Sequence, residues 1–151
     1  MYDAVLRAQE AAIDTVAPGA TLEQIHDRAV SVLVDGLLAL GILSGDKATA
    51  IEQGTYRKYY MHRTSHWLGM DVHDVGRYHH DGAPRKLEPG FVLTIEPGLY
   101  IAPQAEVDPR FRGIGVRIED DVLVTESGRE NLTHDIPKDA GELERIIQSA
   151  R

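Results

Sequence analysis

The amino-acid sequence predicts an α+β fold, and three observations carry that expectation. Apolar residues recur at helical spacing through the first third, β-branched and aromatic runs fill the middle, and a short amphipathic segment closes the chain. At 151 residues, one domain able to bury its own core is expected.

In "YDAVLRAQEAAIDTV", the side chains of Val5, Ala8, Ala12, Ile13 and Val16 fall on one helical face, and "APGAT" breaks the segment. Thr21 and Gln24 form a capping-box pattern at the head of a long helix expected to run to about Leu40. Its stripe of Ile25, Ala29, Val32, Leu33, Leu37 and Leu40 needs a packing partner. "GILSGD" ends it through Gly41 and Gly45, and "KATAIEQG" predicts a short third helix. After Tyr56 the character changes. "FVLTIEPGLYI" reads as strand, and "GIGVRIEDDVLVTES" as two strands or one bent strand. "HHDGAPRKLEPG" and "APQAEVDPRFRG" read as surface loops or hairpin excursions. "DAGELERIIQSAR" predicts a closing helix with Leu143, Ile146 and Ile147 on its apolar side.

Composition narrows the function. The net charge of −8, with Lys and Arg scattered, leaves nothing to neutralise phosphates, so no nucleic-acid partner is expected. The absence of cysteine excludes a disulfide scaffold and a thiolate metal site, and fits a cytoplasmic protein. Asp3 and Arg7 interrupt the N-terminal segment, which therefore does not read as a signal peptide. No apolar run reaches the length of a membrane span, and no membrane partner is expected.

The chemistry-bearing stretch is "MHRTSHWLGMDVHDVG", which gathers His62, His66 and His73 with Asp71 and Asp74. Downstream, Glu96 stands in "LTIEPG" and Glu119 in "VRIEDD", each at the end of an apolar segment. A carboxylate between Ile95 and Pro97 is poorly solvated in a central strand, and a buried carboxylate is costly unless paired or bound to a cation. Two such carboxylates and a histidine make a candidate site for manganese, iron, cobalt or zinc. Solvent-facing glutamates are the alternative at this spacing. One histidine suffices as a ligand, leaving the others to move protons or polarise a carbonyl. His79 and His80 read as solvated, and His26 and His134 as ordinary core or surface histidines. Ser65 lacks the G-x-S-x-G frame of a nucleophile elbow, and the Gly113–Gly115 pair is too short for a dinucleotide fingerprint.

Three stretches taken together, "HRTSHWLGMDVHDVG", "LEPGFVLTIEPGLYI" and "RGIGVRIEDDVLVTESGRENLT", resemble the Xaa-Pro aminopeptidase (aminopeptidase P) branch of the creatinase/prolidase/methionine aminopeptidase family. The resemblance runs along essentially the whole chain. It implies a "pita-bread" α+β fold and a dinuclear metal site, usually manganese, held by two aspartates, one histidine and two glutamates. By motif, His66 resembles the histidine ligand, Glu96 the glutamate ligand that also shuttles a proton, and Glu119 the bridging glutamate. His62 and His73 resemble the histidines that bind substrate and stabilise the tetrahedral intermediate. Arg117 resembles an arginine that orients carboxylates. The implied reaction releases the N-terminal residue of a peptide with proline in second place, with metal-assisted attack by water.

The two aspartate ligands of that family precede the first helix seen here, and Asp3 lies within the helix. Residues 1–151 therefore resemble the C-terminal portion of the catalytic domain, roughly its second half. His66, Glu96 and Glu119 alone are expected to hold no metal or one weakly, and the isolated chain is expected to be inactive. Asp71 and Asp74 are not expected to replace the aspartates, and strand alternation points Asp120 away from the Glu119 side. An open sheet edge and an uncovered apolar face are expected, with proline-containing peptides as ligands and either a second copy or the missing half as partner. The alternative is a non-enzymatic peptide-binding or self-assembling fragment that keeps the fold and half the site.

Overall fold

The computed structural model describes residues 1–150. Helices α1 (Tyr2–Ile13) and α2 (Leu22–Ala39) pack on each other through the stripes the sequence predicts. Val5, Ala8, Ala12, Ile25, Ala29, Leu33 and Leu37 are fully buried, while Val30 and Val34 take the core positions expected of Val32 and Leu40. The helices touch at Gly36, where an added Cβ would stand 2.6 Å from that of Ala4, so only glycine permits this approach. The capping box forms: Gln24 N donates to Thr21 Oγ1 at 3.2 Å, and Thr21 N donates to Gln24 Oε1 at 2.9 Å. Thr21→Ala should cost about 1 kcal/mol. It should appear as a lower urea midpoint at unchanged slope. Helix α3 (Lys47–Glu52) is capped by Asp46 and leads into a 3-10 turn at Thr55–Lys58.

Among the described residues, seven short strands make three antiparallel sheets. Strands β1 (His79–His80) and β2 (Ala83–Pro84) form a hairpin. Strands β3 (Val92–Ile95), β6 (Asp120–Thr125) and β7 (Gly128–Asn131) form a sheet in the order β3-β6-β7. Strands β4 (Gly98–Tyr100) and β5 (Gly115–Arg117) pair with each other. "FVLTIEPGLYI" is thus two strands in two sheets. The break falls at Glu96-Pro97, where proline lacks an N–H and restricts its predecessor. "GIGVRIEDDVLVTES" likewise divides, at Ile118-Glu119. The polar "GREN" of β7 carries no strand signal of its own and is a strand because its backbone pairs with Val122–Thr125 across a tight turn.

One core cluster, including Tyr60, Leu99 and Ile118, lies against α1 and α2. A second, including Trp67, Leu93, Ile95 and Val122, fills the space between the same helices and the three-stranded sheet. The expected open edge is not at β3, because residues 64–68 lie along it. Leu68 N donates to Val92 O at 3.0 Å, Thr94 N to His66 O at 3.1 Å, and Glu96 N to Thr64 O at 2.8 Å.

Helix α4 (Ala140–Ser149) forms where expected, with Asp139 as its cap, but it buries no residue. Ile146 and Ile147 stay 46% and 55% exposed. Met70, Val72 and Val75 are more exposed still, on the segment after Trp67. No described helix is long and apolar enough to cross a membrane.

Candidate metal centre

Two registers assemble the site. In the β3-β6 ladder Ile95 pairs with Asp120, so the next residue off β3, Glu96, lies beside the residue preceding β6, Glu119. The 64–68 segment runs along the other side of β3, and His66 N donates to Thr94 Oγ1 at 3.2 Å. The donor atoms of His66, Glu96 and Glu119 consequently lie within 4.8 Å of one another.

Hydrogen bonds decide which atoms are free. His66 Nδ1 lies 2.9 Å from the Trp67 carbonyl, which can only accept. Nδ1 therefore carries a proton and Nε2 is the nitrogen turned to the cluster, as in a metal-ligating imidazole. That Nε2 stands 3.2 Å from Glu96 Oε1. Glu119 keeps solvent contact, yet partial burial pushes its carboxyl above the usual range. The charges of Glu96 and Asp121 add to this, while His66 and Arg117 oppose it. This donor set fits a divalent cation: an imidazole nitrogen and two carboxylates converge, and a cation brings positive charge between them.

Arg117 supplies part of that charge, with Nη1 3.2 Å from Glu96 Oε2. Its Nε donates to the Tyr100 hydroxyl at 2.7 Å, and that hydroxyl lies 2.9 Å from His62 Nε2. An arginine only donates, so the Tyr100 proton goes to His62 Nε2. His62 Nδ1, 2.7 Å from the Arg63 carbonyl, then holds the ring hydrogen. Sequence reading missed Tyr100, although it stands in the same "EPGLY" run as Glu96. Gly98 is required beneath it, because a Cβ there would meet the phenol oxygen at 2.5 Å. The His73 ring stands nearly perpendicular to that of His66, 4.4 Å between centroids, with no hydrogen-bond partner among the described residues. A pocket of about 640 Å³ opens over His62, His66, His73, Glu96 and Arg117.

The other candidates lie elsewhere. Asp74 accepts from Val75 N, and neither it nor Asp71 joins the cluster. Asp120 points the opposite way and is wholly buried, as alternation predicts. His80 and His134 are exposed, and exposed His79 lies 3.5 Å from Glu23. His26 is a core histidine whose Nδ1 meets Thr64 Oγ1 at 2.9 Å. Burial first, then the nearby Arg63, His62 and Arg57 charges, lower its pKa to about 4. The unfolded imidazole takes up its proton near pH 6.5. Stability owed to neutral His26 is therefore complete above about 6.5 and is lost as pH falls toward about 4. The urea midpoint should fall across this window more steeply in the parent than in His26→Gln.

The profile of metallopeptidase family M24 matches residues 1–126. The Xaa-Pro aminopeptidase of Escherichia coli is 50% identical over 151 residues, which is 100% of this chain and 34% of that protein. That of Haemophilus influenzae is 48% identical over 147 residues, 97% of this chain and 34% of its own length. The solved structure of Pseudomonas aeruginosa aminopeptidase PepP superposes with a TM-score of 0.96 at 50% identity, covering 99% of this chain and 34% of that one. This chain thus spans about a third of the relatives it matches. With the family profile over most of its length and the fold superposing throughout, the chain belongs to metallopeptidase family M24 and carries part of its pita-bread fold.

Proposed function

We propose that this chain carries the His66, Glu96 and Glu119 half of the metal centre of a Xaa-Pro aminopeptidase. The observation that carries the reading is His66 Nε2 facing Glu96 Oε1 at 3.2 Å, with Glu119 in reach. Similarity to Xaa-Pro aminopeptidases supports the substrate class, peptides with proline in second place. Residues 1–151 are read as the C-terminal portion of the catalytic domain of a cytoplasmic enzyme, completed by a portion that brings two aspartates. When bound, manganese supplies Lewis-acid polarisation of the scissile carbonyl.

The roles of the side chains follow from what holds them. Arg117 engages Glu96 through Oε2, while Oε1, which accepts from Thr94 Oγ1 at 3.3 Å, is the oxygen on the His66 side that accepts and returns a proton. His73, with no hydrogen-bond partner among the described residues, is free to donate to a developing oxyanion. His62 has both nitrogens engaged, so it binds substrate by exchanging its Tyr100 contact. Alone, these residues hold at most one manganese weakly and turn nothing over. The test is metal stoichiometry after manganese loading and desalting, run beside Xaa-Pro peptide hydrolysis. Less than one retained metal and no hydrolysis are expected. Two retained metals with turnover would mean that other ligands or a second copy complete the site. Exposed Met70, Val72, Val75, Ile146 and Ile147 favour a second reading, a fragment that self-assembles or docks on its missing half. A monomer by light scattering at high concentration excludes the self-assembling form.

A further inference from the structure

A second recess, about 280 Å³, lies beside the metal pocket, and His62 and Arg63 line both. Its remaining walls include His26, Arg57 and Tyr60. Among the described residues no carboxylate lines it, in a chain whose net charge is −8. Arg57 makes no ion pair among the described residues, and the nearest carboxylate to Arg63 is Glu23 at 3.9 Å. Two arginines thus line one small concavity with little to neutralise them.

The buried hydrogen bonds behind the recess fix what His26 offers. Tyr60 is 1% exposed, and its hydroxyl has one partner, Thr64 Oγ1, at 2.7 Å. Thr64 Oγ1 in turn lies 2.9 Å from His26 Nδ1. A buried phenol proton left without an acceptor is costly, so Tyr60 donates to Thr64. The single Thr64 proton then goes to His26 Nδ1. This order uses every proton and leaves the His26 hydrogen on Nε2. That nitrogen has no partner among the described residues, although the side chain is nine-tenths buried and lines the recess. An N–H donor held by a relay, in a recess that two arginines also line, is a built site for an acceptor.

We infer that this recess binds a carboxylate group through His26 Nε2–H, Arg57 and Arg63. Planar guanidinium groups match a carboxylate in paired N–H···O geometry. The low pKa of His26, owed first to burial and then to Arg63, His62 and Arg57, agrees with a positive, anion-free surround. A neutral ring donates without needing a proton from solvent. Two sources share the chemistry: a free small carboxylate, or the C-terminal carboxylate of a short peptide whose amino end lies in the metal pocket. The second source rests on the peptidase reading, and the site itself does not.

The test follows the histidine side-chain 15N resonances of the metal-free chain at constant ionic strength. Acetate, the peptide acid Ala-Pro-Ala and its C-terminal amide are added in turn. A saturable shift at His26 is expected with the peptide acid or acetate, and not with the amide. Arg57→Gln should weaken that binding at least tenfold, while Arg112→Gln leaves it unchanged. Arg57 and Arg112 are both exposed, so neither change threatens folding. A response to acetate assigns the free-carboxylate source. A response to the peptide acid alone assigns the peptide terminus. No saturable shift with either carboxylate, an equal shift with the amide, or full affinity in Arg57→Gln overturns the proposal. Because no metal is present, any of these leaves the His66, Glu96 and Glu119 reading standing, and manganese stoichiometry tests that separately.

Discussion

Asp120→Ala is expected to destabilise the chain by about 3–5 kcal/mol, the range for removing one partner of a buried ionic network. The Asp120 side chain is fully buried, with Lys138 Nζ donating to Oδ1 at 2.9 Å. Gln9 Nε2 on α1 donates to Oδ2 at 2.5 Å, and Asn131 Nδ2 on β7 donates to the same oxygen at 2.9 Å. Thr133 Oγ1 donates to Oδ1. One carboxylate therefore ties the first helix, the last strand and the approach to α4 together, and its loss takes the carboxylate from the half-buried Lys138 ammonium. Burial by itself raises this carboxyl, but the bonds from Thr133, Lys138, Asn131 and Gln9 prevail and hold it below the usual range. With the folded pKa lowered, its stabilisation is present above the unfolded value near 3.9 and is lost as pH falls through the folded one. Urea unfolding at pH 7 checks the magnitude. A cost under about 1 kcal/mol would mean that the network does not hold these elements.

Glu96→Gln is expected to have the largest effect at the site. Manganese affinity, followed by the loss of free-ion EPR signal, should fall at least tenfold in the metal-binding assembly. Turnover of an Xaa-Pro peptide should fall about 100-fold or more, the range for removing a group that transfers a proton. The amide keeps the volume and can still accept from Arg117, so packing should survive. Arg117→Gln should lower metal affinity about 10–100-fold by loosening Glu96, without removing a ligand. Parent-like affinity in Glu96→Gln would remove Glu96 from the ligand set.

Helix legibility came from repetition. The α1 and α2 stripes and the Thr21–Gln24 box depend on local spacing, which periodicity reports directly. Strand legibility was poorer. The polar β7 and the divisions at Glu96-Pro97 and Ile118-Glu119 depend on which distant segment supplies the pairing partner, and no local window contains that information. The 64–68 segment is the sharpest case. "TSHWL" has weak strand character, yet it covers the edge of β3 and places His66 beside Thr94.

The residue types of the site, its two glutamates at strand ends and the family resemblance were all readable along the chain, because each is a matter of identity and spacing. Which atoms face one another was not. That depended on the Trp67 carbonyl fixing the His66 tautomer, on the Ile95–Asp120 register setting Glu96 against Glu119, and on Tyr100 joining Arg117 to His62. These are contacts between segments far apart in sequence, and hydrogen-bond direction is settled only when both partners are in place.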